Sequence, residues 1–86
     1  MDNFLDEFSN VFLQLKNKND IQSFLKEILT ENEISDLRLR WELLKMLKAG
    51  RSQRSIAKEL KISLCKITRG AKILKQSDSM VNTILS

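Results

Sequence analysis

With 86 residues, no histidine, no proline and a single cysteine, the chain lacks the usual equipment of several protein classes. There is no imidazole for general acid–base work, no cysteine pair for a disulfide, and no histidine or cysteine cluster to hold a metal, so neither an enzyme nor a metal site is expected. A net charge of +4, with 42% hydrophobic and 30% charged residues, is that of one small globular domain spanning residues 1–86. No run of about 18 apolar residues marks a membrane span and no signal-peptide pattern is present, so a cytoplasmic protein without a membrane partner is expected.

Taken in chain order, every segment reads as helix, and β-branched residues never alternate over a strand length. Asp2 is placed to cap a first helix carrying Phe4, Leu5, Phe8, Val11, Phe12 and Leu15 at helical spacing. The polar run from Lys16 to Asn19 interrupts it. A second helix starts at Asn19 or Asp20 with Ile21, Phe24, Leu25, Ile28 and Leu29 on one face. Thr30 and Glu33 form a capping-box pair that opens a third helix, from about Glu31 to Ala49. Its main apolar stripe is Ile34, Leu37, Trp41, Leu44 and Leu47, and Gly50 supplies the left-handed residue that ends it. Ser52 and Ser63 cap two short helices, and a last helix runs from about Asp78 to Leu85. The expected class is therefore all-α, with six helices.

Charge is divided unevenly. Residues 1–37 carry a net of −5 and residues 38–86 a net of +9. Within Arg51–Lys75, eight basic residues face one acid, Glu59, a net of +7 in 25 residues. The apolar positions of that stretch (Ile56, Ala57, Leu60, Ile62, Ile67 and Gly70) have the spacing of two helices crossing over a small shared core. A cationic helix–turn–helix of this kind places its second helix in a DNA major groove. A helical protein-interaction module would account for the amphipathic helices and leave the clustered charge unexplained.

The stretch LTENEISDLRLRWELLKML (29–47), followed by SQRSIAKEL (52–60) and KITRGAKILK (66–75), resembles the tryptophan repressor family. The Ile67-Thr68-Arg69-Gly70 motif is its most specific element, and the similarity covers over half the chain. The resemblance implies an intertwined all-helical homodimer. The helical body would be residues 1–49 and 78–85, and the helix–turn–helix reading head residues 52–75. It also implies a reading head that is mobile until L-tryptophan, a corepressor rather than a catalytic cofactor, lodges between the third helix and the recognition helix. Repression of genes for tryptophan biosynthesis or uptake would follow.

On that resemblance, Arg40 and Arg69 flank the two faces of the indole, one of them also pairing with the carboxylate. Arginine stacks on aromatic planes and binds carboxylates, so the chemistry is sound. Thr30, from the second subunit, stands beside free carbonyls near Glu27, Ile28 and Leu29 that accept from the ligand ammonium. Gly70 leaves room for the ring. Four departures bear on this site: the Gly50-Arg51 link is about one residue short, Lys61 replaces a glycine in the turn, Ile73 replaces a serine near the ligand, and Lys66 replaces a threonine. A regulator of the same fold that senses another ligand, or none, is the alternative these changes leave open.

For double-stranded operator DNA, Ser63, Leu64, Cys65, Lys66 and Thr68 at the start of the recognition helix are the candidates to meet base edges. Gln53 and Arg54, opening the preceding helix, are placed for phosphate or base, with Arg54 to guanine the most discriminating contact. Lys58, Lys66, Arg69, Lys72 and Lys75 are expected mainly on phosphates.

Overall fold

The computed structural model describes residues 3–86, which form six α-helices and, among those residues, no strand. They are α1 (Phe4–Gln14), α2 (Lys18–Ile28), α3 (Glu31–Lys48), α4 (Gln53–Leu60), α5 (Leu64–Lys75) and α6 (Met80–Leu85). The chain groups into two compact units divided after Ile34.

In the first unit, α1 follows Asn3, whose side chain makes no capping bond, and Asp2 lies outside the described residues. The second helix begins earlier than the sequence suggests. Asn17 accepts from the Asp20 N–H at 2.9 Å, so Lys18 and Asn19 belong to the first turn of α2 rather than to a linker. An asparagine cap satisfies a backbone donor that the polar run would otherwise leave to water. The helices meet through four phenylalanines. Phe8 and Phe12 of α1 each lie 5.7 Å, centroid to centroid, from Phe24 of α2, while Phe4 stacks on Phe8 at 5.1 Å. Offset and edge-on pairs of this kind each contribute about 0.5–1.5 kcal/mol beyond the area they bury. Neither helix buries a residue fully, and Leu13 is 82% exposed.

The capping box at the start of α3 forms as expected. The Thr30 hydroxyl accepts from the Glu33 N–H at 3.1 Å, and the Glu33 carboxylate accepts from the Thr30 N–H at 2.8 Å. The other end of α3 closes in a Schellman motif. Gly50 takes φ +91°, its N–H donates to the Leu47 carbonyl at 3.0 Å, and the Arg51 N–H donates to that of Met46 at 3.1 Å. The expected stripe on α3 needs correction. Leu44 and Leu47 do face the core, but Ile34, Leu37 and Trp41 are exposed, Trp41 by 37%, and Leu43 takes the innermost place. The helix is apolar on two faces: Leu43, Leu44 and Leu47 pack in the core of the second unit, and Leu37 and Trp41 are exposed.

The second unit is built on Leu43, Leu44, Ile56 and Ile67, against which Leu47, Ala57, Leu60, Ile62, Leu74, Val81 and Leu85 pack. Ser52 caps α4 by accepting from the Ser55 N–H at 3.2 Å. The turn after α4 depends on Lys61, which adopts the left-handed conformation (φ 56°, ψ 46°) while the Ile62 N–H reaches the Ala57 carbonyl. Ser63 then caps α5. The last helix starts two residues later than expected, with Ser79 as its cap at Asn82. Asn82 joins three elements: its amide donates to the Leu74 carbonyl of α5 and accepts from the Lys48 ammonium of α3 at 3.0 Å.

Candidate nucleic-acid interface and ligand pocket

Along α5, Ile67 and Gly70 point inward and are buried, with Leu74 packed behind them. Ala71 and Ile73 are half-buried, and the other intervening positions face out, since residues three and four apart share a helix face. Leu64, Cys65, Thr68, Arg69, Lys72 and Lys75 are all exposed, as are Ser63 and Lys66 at the helix start and Gln53, Arg54 and Lys58 on α4. The fold thus keeps all eleven candidate DNA-contacting residues accessible on its reading head. Leu64, at 51% exposure, is an apolar side chain held out in the first turn of α5.

Hydrogen bonds and ion pairs sort the cations. Arg51 is committed to the fold, pairing with Glu59 at 2.8 Å and donating to the Ser55 hydroxyl at 3.3 Å. The other ion pair among the described residues is Glu42–Lys45, so the remaining seven cations of the stretch carry no acidic partner there. A stripe of unpaired charge is what counterion release from a phosphate backbone requires. Gln53 is tied to the recognition helix: the Thr68 hydroxyl lies 3.4 Å from its Oε1 and donates to the Leu64 carbonyl at 2.9 Å.

Behind the reading face, α3 and α5 enclose a cavity of about 290 Å³. Its floor is apolar, from Leu39, Leu43 and Leu44 of α3, Ile62 of the turn, and Gly70 and Ile73 of α5; its rim is charged, from Asp36, Arg40, Lys66 and Arg69. The volume lies near the lower bound of small-molecule sites and suits a ligand of amino-acid size. The cavity brings together Arg40, Arg69, Gly70 and Ile73, four of the expected ligand residues. Glu27, Leu29 and Thr30 belong to the first unit, where Thr30 is engaged in the capping box and Leu29 closes α2 through its N–H to the Leu25 carbonyl.

Gly70 has a structural duty as well. A Cβ built on it would stand 2.6 Å from the Leu43 Cδ1, 3.3 Å from the Leu47 Cδ1 and 3.4 Å from the Leu44 Cδ2. It is a point of close approach between α5 and the leucines of α3. On α3, sequence reasoning missed Asp36, Leu39, Leu43 and Leu44 as wall residues. Their signal was present, because 36, 39, 40, 43 and 44 share one face of α3, but the neighbouring apolar stripe masked it.

A family model described as Trp repressor protein matches residues 3–86. The chain belongs to the Trp repressor family. Among curated proteins and among solved structures nothing matches. Membership makes the chain a DNA-binding, helix–turn–helix regulator of transcription. No helix among the described residues is long and apolar enough to cross a membrane.

Proposed function

We propose that this member of the family is a homodimeric repressor of genes for tryptophan biosynthesis or uptake, activated by L-tryptophan as corepressor. The observation that carries the reading is the cavity between α3 and α5, where Arg40 and Arg69 stand over an apolar floor directly behind the recognition helix. An indole ring would fill the floor and stack between the guanidinium planes, and one guanidinium would take the carboxylate. Ligand in that position braces α5 from behind, so the exposed side of the same helix is presented to the groove in a fixed attitude. The uncovered apolar faces of α1 and α2, and the Leu37–Trp41 face of α3, support a dimer, since a chain of this size gains much of its burial by association. Two reading heads then address successive major grooves.

On DNA, Arg54 is the residue assigned to a guanine and Leu64 to a thymine methyl, while Lys58, Lys72 and Lys75 neutralise phosphates. A second reading, a regulator that senses a different ligand, draws on Lys66 and Ile73, both of which line the cavity.

Calorimetric titration with L-tryptophan tests the proposal. One saturable site per chain is expected, weakened about tenfold or more in Arg40→Ala, whose lost stacking and charge-assisted bond correspond to roughly 1.5–3 kcal/mol. No heat at millimolar tryptophan, with operator binding intact, selects the second reading.

A further inference from the structure

The α5 helix packs on α3 through apolar side chains: Gly70 lies against Leu43, Leu44 and Leu47, and Ile67 and Leu74 belong to the same core. Such contacts set how near the helices come but are non-directional, so they hold the angle between the axes less firmly. Among the described residues no hydrogen bond or ion pair joins α3 to α5 directly. The polar link between them runs through Asn82 of α6. The Lys48 ammonium, in the last turn of α3, donates to Asn82 Oδ1 at 3.0 Å, and the Asn82 amide donates to the Leu74 carbonyl in the last turn of α5.

The two partners dictate this arrangement. A carbonyl accepts and an ammonium donates, so the amide has one orientation that serves both. A carboxylate in its place would satisfy the lysine and fail the carbonyl. The Leu74 carbonyl is among the four that a helix end leaves without an intrahelical partner, and Asn82 caps it from a neighbouring helix. Asn82 is itself held, since its N–H donates at 3.2 Å to the hydroxyl of Ser79, a buried residue.

We infer that Asn82 is a positioning residue for DNA recognition, pinning the C-terminal end of α5 to α3 and so setting the angle at which the other end meets the bases. The inference is independent of the ligand and rests on the reading of α5 as the recognition helix. Leu64 stands ten residues before Leu74, about 15 Å along the axis. A swing of about 10° around the pinned end carries that first turn through roughly 2.6 Å. Base-edge bonds of about 2.7–3.2 Å do not survive such a displacement, whereas lysines on flexible stems follow the phosphates. Losing the pin therefore erodes discrimination more than affinity.

Fluorescence anisotropy with two duplexes tests this: the one that the parent protein enriches most from a random pool, and its scrambled counterpart, each with and without L-tryptophan. Asn82→Asp keeps the acceptor for Lys48 and, ionised, has no proton for the Leu74 carbonyl; an acid in the first turn of α6 suits that helix. The ratio of enriched to scrambled affinity should fall roughly tenfold, the worth of about one base contact, with scrambled binding within about twofold of the parent. Lys48→Met cuts the outer link at an exposed residue, so it reports even if the first variant unfolds, and a fall of roughly threefold is expected. Without DNA, amide exchange in Asn82→Asp should quicken along α5 while α3 keeps the parent rate.

Unchanged ratios in both variants overturn the assignment. So do equal losses on the two duplexes, or exchange that quickens evenly through α3 and α5, since both mark a general loss of stability. A parent protein that enriches no sequence refutes α5 as the reading helix, and the inference falls with it.

Discussion

Replacing Gly70 with alanine sets two physical effects against each other, and their balance tests how closely α5 sits on α3. Gly70 lies in the interior of a twelve-residue helix. On intrinsic propensity alone, glycine to alanine there favours the helix by about 0.8–1.0 kcal/mol. The added Cβ, however, meets the Leu43 Cδ1 at 2.6 Å, against about 3.5–4.0 Å for carbon atoms at rest. Leu43 is 3% exposed, so its methyl has no solvent side to move into, and Leu44 and Leu47 close the space beside it. Forcing a methyl into packing of that kind costs about 1–3 kcal/mol. The net is a destabilisation of about 1 kcal/mol, a fall in Tm of roughly 4–8 °C for a domain of this size. Thermal melts followed by circular dichroism, at one fixed protein concentration and without ligand, measure it. A Tm raised by the propensity gain would refute the close crossing. Adding Leu43→Val should recover part of the loss, since residues in contact are non-additive and the smaller side chain makes room.

Lys61→Gly should stabilise the protein by about 0.5–1 kcal/mol: a left-handed conformation costs a non-glycine residue about 1–2 kcal/mol, and the extra freedom of glycine in the unfolded chain offsets part of the gain. A higher urea midpoint at unchanged slope is the expected readout, and a lower one would show that Lys61 is held by something other than turn geometry. On DNA, Arg54→Ala should broaden the sequences enriched from a random duplex pool, whereas Lys72→Ala should weaken all duplexes alike and reduce the salt slope by about 0.9. Equal losses on cognate and scrambled sites in both variants would remove that division of labour.

Much of the fold can be read from short-range signals. Ser52, Ser63, the Thr30–Glu33 box and Gly50 each act within one helical turn, and each forms the bond its position implies. Asn17 escaped notice because a polar run offers several capping side chains and only geometry selects among them. The face of α3 was harder, because its apolar residues lie on two sides and periodicity does not say which side meets α5. The exposed reading face followed from the inward places of Ile56 and Ile67, while Asp36 stayed hidden because an acid four residues before an arginine reads as a surface pair. That it lines a cavity is a property of α5 standing opposite, a helix far along the chain from it.

The division of the cavity into floor and rim bears on how such a regulator changes its diet over generations. Leu43 and Leu44 hold α5 in place as well as lining the floor, so altering them carries core penalties of about 2–5 kcal/mol, a large share of a small domain's stability. The rim side chains are exposed, and exchanging them shifts stability by within about 0.5 kcal/mol. Mutation is therefore free to rewrite which head group is accepted while the slot for a flat apolar body persists. Lys66 is one such rim position, and new effectors should arise by changes of charge at the mouth before any change in the shape beneath.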